Sequence, residues 1–377
     1  MKRCVILLFA MLSPPCFATE IPVFRYALER WIPEPYQLVV THSGDLDESQ
    51  NRVLKQLHEV SDTFYEQAYF GGGNLIVQEI NLDTDWEAMN EEKKTRIKEI
   101  FGGELKDSPS FVLLSPYPQE SVWSGELNAE TLKYLVDSPA RQAIIHHVMR
   151  GITGVWLMIN GADSAANDKA EADIRKYSGL MKDEFLPPRI GESYKYGRHY
   201  VESEVPLLLE FEVVRIDAAN PKEKCLVQIL RSPMVAKALE IDPAAIGVEP
   251  VAIPVFGRGR TFYGLMGDEI EEENVMGFCA YLLGNCSCQV KMQNPGIDLL
   301  FNAQWLAMLV GEEKIPALPT KEEMLPDPVV EAPQTLPAGT ASSDQKEKPD
   351  TRVWVMVGGV LIAFLAFLIW AKKSSSA

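Results

Sequence analysis

The apolar positions of this chain change period along its length. Phe24, Leu28 and Trp31 recur at helical spacing, and Pro33 and Pro35 end that segment. Gln37 to Thr41 (QLVVT) reads as a buried strand. Asp47 to Thr63 reads as a helix with Val53, Leu54, Leu57 and Val60 on one face. Asn74 to Asn81 is the next strand, and Asn90 to Phe101 is a charged amphipathic helix closed by Gly102-Gly103. Phe111 to Leu114 is a strand entered through Pro109. Glu120 to Trp123 reads as an edge strand and Asn128 to Val136 as a helix. The predicted order is β-α-β-α-β-β-α.

After a helix over Arg141 to Arg150, a second alternation begins. Val155 to Ile159 is a strand, Asn160 to Asp163 a turn, and Ser164 to Met181 a helix. Leu207 to Ile216 and the apolar run Cys225 to Leu230 both read as strands. Pro250 to Phe256 and Arg260 to Met266 form a predicted hairpin around Gly257-Arg258-Gly259. Glu271 to Leu283 is a helix closed by Gly284. This order loosely repeats the first.

The two ends carry different signals. Lys2 and Arg3 precede an apolar run from Val5 to Leu12, and Cys16-Phe17-Ala18 supplies small residues at the positions a signal peptidase requires. The expected cleavage follows Ala18. A lipoprotein reading would use Cys16, but Pro14 and Pro15 stand before it and speak against it. Val353 to Ala371 holds 19 residues without a charge. As a helix it would be about 28 Å long, enough for the hydrocarbon core. Trp354 and Trp370 lie near its ends, and Lys372 and Lys373 follow it, which places the C-terminus in the cytoplasm. The stretch before it carries Pro316, Pro319, Pro326, Pro328, Pro333, Pro337 and Pro349 among acidic residues and reads as an extended spacer.

Of the 377 residues, 46% are hydrophobic and 24% charged, which suits folded domains. The net charge of −17 repels phosphate backbones, so nucleic acid is not an expected partner. Six cysteines are too few for a disulfide framework in so long a chain.

Ser108-Pro109-Ser110-Phe111-Val112-Leu113-Leu114 resembles the thioredoxin-fold segment in which a cis proline precedes a buried strand. Trp123 to Leu132 resembles that fold's last strand, its G-x-L turn and its closing helix. The likeness covers residues 36 to 150 and implies a cis bond at Pro109. It departs where it matters. The family's Cys-x-x-Cys follows the first strand at a helix N-terminus, where the dipole lowers the thiol pKa. Here that place holds Thr41-His42-Ser43-Gly44-Asp45-Leu46-Asp47, and the second alternation also lacks cysteine there. The segment Ile21 to Trp31 resembles the start of uncharacterised envelope proteins of planctomycete and verrucomicrobial bacteria.

Candidate chemistry is sparse. His42 and Ser43 suggest a base and a nucleophile, but neighbours on a strand end point to opposite sides. Cys279, Cys286 and Cys288, with Cys225, form the main candidate cluster. Three readings stay open for it: a structural disulfide, a strained and exchangeable pair at Cys286 and Cys288, and a thiolate metal site. His146 and His147 diverge by about 100° on a helix and do not share a metal. Gly71-Gly72-Gly73 leads into a strand and reads as a turn, not a phosphate loop. Tyr194, Tyr196, His199 and Tyr200, with Lys195 and Arg198, form an aromatic and basic loop that reads as packed on its own domain, with a partner surface as the alternative.

The expected fold class is α/β, as two tandem thioredoxin-like modules plus a single C-terminal transmembrane helix. The expected organisation is a signal peptide over 1–18, modules over 19–150 and 151–312, an acidic Pro-rich linker over 313–351, a transmembrane helix over 352–371 and a cytoplasmic tail over 372–377. This describes a single-pass protein of a bacterial inner membrane with its N-terminal domain in the periplasm. Its expected role is non-catalytic binding or scaffolding of another envelope protein, without a cofactor. The alternative is thiol-disulfide or metal handling through Cys286 and Cys288.

Overall fold

The computed structural model describes residues 21–66, 73–106, 108–184, 203–284, 291 and 296–325. Helix α1 (Val23–Arg30) precedes strand β1 (Tyr36–His42). Helix α2 (Glu48–Glu66) crosses to β2 (Leu75–Asn81), which runs parallel to β1. Helix α3 (Glu91–Ile100) leads to β3 (Ser110–Leu114), antiparallel to β1, and β4 (Ser121–Glu126) pairs antiparallel with β3. The sheet order is β2-β1-β3-β4. Asp47 starts α2 by accepting from the Gln50 N–H, and Asn90 caps α3 by accepting from the Lys93 N–H.

After α4 (Ala129–Leu132) and α5 (Pro139–Met149) the pattern recurs. Strand β5 (Ile152–Asn160), helix α6 (Ser164–Glu184) and β6 (Leu208–Asp217) make a parallel unit. Helices α7 (Lys224–Arg231) and α8 (Pro233–Ala238) lead to β7 (Val251–Phe256), antiparallel to β5. The short strands β8 (Arg260–Thr261) and β9 (Leu265–Met266) both pair with β7, and α9 (Glu272–Leu283) closes the unit. The second sheet runs β6-β5-β7-β8. Both sheets thus share strand order and direction, as the alternation in the sequence predicts.

Apolar alternation assigns the faces. In β1, Leu38 and Val40 enter a core cluster with α2, while Val39 faces Ile97 of α3. In β5, Val155, Leu157 and Ile159 enter that same large cluster, while Trp156 and Met158 face α1, α6 and α9. A strand buried on both faces reads as a continuous apolar run, as β5 does.

The chain ends are exchanged between the two sheets. Helix α1 precedes the first sheet but packs on the second: the Val23 N–H donates to Gly284 O at 3.0 Å. Arg258 donates to Leu28 O at 2.8 Å and to Glu29 O at 3.0 Å, satisfying the end of α1. Gly257 has φ +56°, and a Cβ there would lie 2.7 Å from that of Ala27. In return, the chain after α9 binds the first sheet. The Asn74 N–H donates to Phe301 O at 3.1 Å, and the Asn74 side chain accepts from the Phe301 N–H at 2.8 Å. Its amide donates to Glu34 O at 3.0 Å and Leu299 O at 3.1 Å. The boundary at 150/151 therefore separates two sheets but not two packing units. The core cluster holding β1 also holds β5 and β7.

Three further expectations are corrected. Among the described residues the cis peptide bond is Tyr117–Pro118, not Ser108–Pro109. Pro109 continues the ladder instead, its carbonyl accepting from the Leu127 N–H at 2.8 Å. The run Cys225 to Leu230 is helix α7, not a strand. A short apolar run fits either element, and here Cys225, Leu226, Ile229 and Leu230 bury one helical face. The start of the expected spacer is docked. His146 Nδ1 lies 2.9 Å from Pro316 O, and Asn220 donates to the last carbonyls of α11 (Lys321–Met324), which follows α10 (Trp305–Leu309).

Where β7 is central, Pro254 fits because it falls between the partner strands: β8 pairs with Val255 and Phe256, β9 with Val251 and Ala252. No helix among the described residues is long and apolar enough to cross a membrane. The expected signal peptide and the stretch from Val353 to Ala371 lie outside the described residues.

Glu223 sits fully buried at the start of α7, accepting from the Ala140 N–H of α5 at 2.8 Å. Burial raises its pKa, opposed by the Ala140 N–H, Ser138 and Arg141. The folded protein therefore holds this proton more tightly than the unfolded chain. The stabilisation is complete below the unfolded pKa and is lost as pH rises through the folded one. In urea titrations, Glu223→Gln should gain on the wild type as pH is raised from mildly acid to mildly alkaline. Equal pH slopes would contradict the assignment. Asn74→Ala should lower unfolding free energy by about 3 kcal/mol or more, because three backbone groups lose their partner. A lowered urea midpoint with unchanged slope is the expected record.

Candidate functional site

In the expected fold, the chemistry sits at the helix start after the first strand of each sheet. In the first sheet, His42 ends β1 with its ring buried. Its Nδ1 lies 2.9 Å from Gly44 O, and its Nε2 lies 3.2 Å from Glu79 Oε1. One ring nitrogen meets Gly44 O and the other Glu79 Oε1, so neither is directed at Ser43. This geometry removes the base-and-nucleophile reading. Glu79 comes from β2, two positions behind the residue paired with His42, and its other oxygen lies 3.1 Å from His58 Nε2 on α2. One partly exposed carboxylate thus bridges two imidazoles. No group of three metal-ligating side chains among the described residues is arranged to hold a metal. Asp83 accepts from the Gly44 N–H at 2.6 Å, which fixes the loop.

The helix start itself is occupied. Asp47 accepts from Ser49 Oγ at 2.7 Å and from the Gln50 N–H at 2.8 Å, while Gln50 Oε1 returns to the Asp47 N–H at 3.0 Å. These bonds hold the Asp47 carboxyl below its ordinary range, the Gln50 N–H contributing most. One orphan N–H of this helix start, that of Gln50, is spent on a carboxylate.

In the second sheet, the turn that precedes α6 is held by backbone contacts. Asn167 of α6 reaches back to Gly161, accepting from its N–H at 2.7 Å and donating to its carbonyl at 2.9 Å. Val248 O accepts from the Ala162 N–H at 3.1 Å. A Cβ on Gly161 would lie 2.5 Å from the backbone of Glu249. The first residues of α6 are exposed, and Asp163 accepts from the Ala165 N–H at 2.9 Å. Beside it, Arg215 donates to Asn160, Asp168 and Glu171, a network that ties β6 to α6.

The cysteine candidates do not converge. Cys225 is a buried thiol on α7, pushed up to about 11 by burial, with the Arg141 guanidinium acting the other way. Cys279 is a buried thiol on α9, pushed up to about 12 by burial. Its Sγ donates to Ser178 Oγ at 3.7 Å, and Ser178 also accepts from the Trp156 indole. The two belong to different core clusters, on opposite faces of the second sheet. They cannot share a metal or a bond, which removes Cys225 from a joint site with Cys279. Cys286 and Cys288 lie outside the described residues, as do Tyr194, Tyr196, His199 and Tyr200. His146 and His147 diverge as expected. One holds Pro316 O and the other is buried, with its pKa lowered chiefly by burial.

No family model and no curated protein matches this chain. Among solved structures it is similar to ERdj5, in a crystal structure of form II, at 9% identity over 73% of this chain and 31% of that one, with a TM-score of 0.19. It is also similar to the first two thioredoxin domains of Saccharomyces cerevisiae Eps1p, at 10% identity over 71% of this chain and 98% of that one, again with a TM-score of 0.19. This chain thus spans about a third of the ERdj5 chain. Likenesses at that TM-score decide nothing. The mixed α/β fold rests on the strand orders of the two sheets. The resemblance of Ile21 to Trp31 to planctomycete and verrucomicrobial envelope proteins is not shown.

Sequence reasoning missed His58 and Glu79. They lie 21 residues apart, and His42 lies 37 residues from Glu79. The parallel register of β1 and β2 would have brought Glu79 close to His42, but no local motif marks it. Gly161→Ala should lower stability by about 2 kcal/mol or more through the clash with Glu249. Gly179→Ala, with open space around it on α6, should be neutral or stabilising by up to about 1 kcal/mol. Thermal unfolding of the two variants checks the pair.

Proposed function

We propose that this protein is a non-catalytic binding or scaffold protein built from two tandem thioredoxin-like modules. In this reading it is held at a bacterial inner membrane by a helix over 352–371, faces the periplasm and contacts another envelope protein. One observation carries the non-catalytic part. Both helix starts where a redox pair would stand lack sulfur, and each offers an N–H to an aspartate instead: Gln50 to Asp47 in one case and Ala165 to Asp163 in the other. Buried Cys225 and Cys279 add to it, because the thiolate is the reactive form and burial disfavours it. The fused core favours a rigid platform over modules that move apart.

Thiol trapping on the full chain in detergent tests the reading. Cys225 and Cys279 should resist a maleimide reagent until denaturant is added. Cys286 and Cys288 should show no exchange with a mild dithiol and no stoichiometric metal. A readily cycled Cys286–Cys288 pair, or bound metal released by thiol modification, would replace this proposal with the thiol- or metal-handling one.

A further inference from the structure

Gly44, in the turn between β1 and α2, is gripped from both ends. Its φ is +66°, a backbone state that favours glycine. Its N–H donates to Asp83 at 2.6 Å, and its carbonyl lies 2.9 Å from Nδ1 of His42. The His42 ring is buried, and its Nε2 lies 3.2 Å from Oε1 of Glu79. The second Glu79 oxygen lies 3.1 Å from Nε2 of His58. Glu79 and His58 are partly exposed, which gives the buried ring a route for proton exchange with solvent.

The count of protons at this group sets what it can do. A neutral imidazole carries one N–H, whereas a backbone carbonyl and an ionised carboxylate only accept. With His42 and Glu79 in those forms, one of the two His42 contacts has no hydrogen. One more proton, carried by His42 as an imidazolium or by Glu79 as a carboxylic acid, supplies both bonds. His58 needs no added proton, because its neutral form can donate from Nε2. The other charged groups nearby are few. Lys55 and Asp62 stand one helical turn either side of His58 on α2, exposed and of opposite sign. Asp83, after β2, is bound to Gly44, and Asp45 is exposed in the turn itself. From β3, the residue beside Thr41 is the uncharged Ser110.

We propose that the proton shared by His42 and Glu79 is a switch on the turn from Ser43 to Leu46. With it bound, His42 ties the Gly44 carbonyl to Glu79, and the turn is held on β2. Without it, one of the two bonds is lost, and the chain of contacts from Gly44 through His42 to Glu79 is broken. Acid therefore fastens the turn and base releases it. This goes beyond the binding reading and depends neither on it nor on the thiol result.

Hydrogen exchange of the full chain in detergent, read by mass spectrometry from about pH 5 to about pH 8, tests the switch across the range in which histidine ordinarily titrates. After correction for the intrinsic pH dependence of exchange, amide protection over residues 43–47 should fall by about fivefold or more from the acid to the alkaline end, the worth of one hydrogen bond. Glu79→Gln should abolish that fall and keep the turn protected, because its amide donates to a neutral His42 and no added proton is needed. His58→Gln should keep the response, since its amide also donates to Glu79. If Glu79→Gln does not fold, exchange of the ring C2 hydrogen of His42 in the wild type takes its place, and its midpoint should coincide with that of the turn. Protection that does not vary with pH, an equal fall in Glu79→Gln, or a His42 midpoint apart from that of the turn would overturn the switch.

Discussion

The structure depends on the exchange of chain ends between its two sheets. Helix α1 comes before the first sheet and is held by the second. The segment around Phe301 comes after the second and is held by the first through Asn74. Each sheet is covered in part by residues from the opposite end of the chain. The bonds that fix the exchange follow a common chemistry. Arg25 donates to Ser203 O, Arg141 to Leu300 O and Arg258 to Leu28 O. Each guanidinium is buried, and each reaches main-chain carbonyls at least 159 residues away in sequence. A guanidinium suits this role because its fork of donors fits diverging carbonyls that no regular ladder can reach.

Much of the layout was legible because period reports burial. The strand β5 reads as an unbroken apolar run, and that run is what burial on both faces requires. The helices α2, α3 and α9 were legible from one-sided apolar spacing and end glycines. Helix α7 was not. Its residues Cys225, Leu226, Ile229 and Leu230 already have helical spacing, but Val227 between them completes a short apolar run that also fits a strand, and the packing into the shared cluster decides for the helix. The docking of residues near Pro316 and Met324 was also hidden. Proline and acid content predicts an extended spacer, but a carbonyl beside His146 and an amide from Asn220 are tertiary partners that composition does not carry.

The candidate sites divide in the same way. An absence was easy to read: no cysteine stands at either helix start. What replaces it was only half legible. The Asp47–Gln50 capping pair is local and visible in the sequence. The clamp on Gly161 needs Glu249, which lies far along the chain, beyond β6 and α8. The bridging of His42 and His58 by Glu79 needs the register of two parallel strands. Cys225 and Cys279 were grouped by sequence because both are sulfur, and the second sheet separates them.

These features bear on function through a single argument about order. A thiol at a helix start is reactive because its N–H groups are held open for a developing negative charge. Here the first helix start gives the Gln50 N–H to Asp47, and the second gives the Ala165 N–H to Asp163. These bonds fix the two turns and limit their local freedom. The interlocked ends do the same for the two sheets as a whole. A surface carried on such a frame loses little conformational entropy when it binds, so its affinity is set by complementarity and not by the cost of ordering.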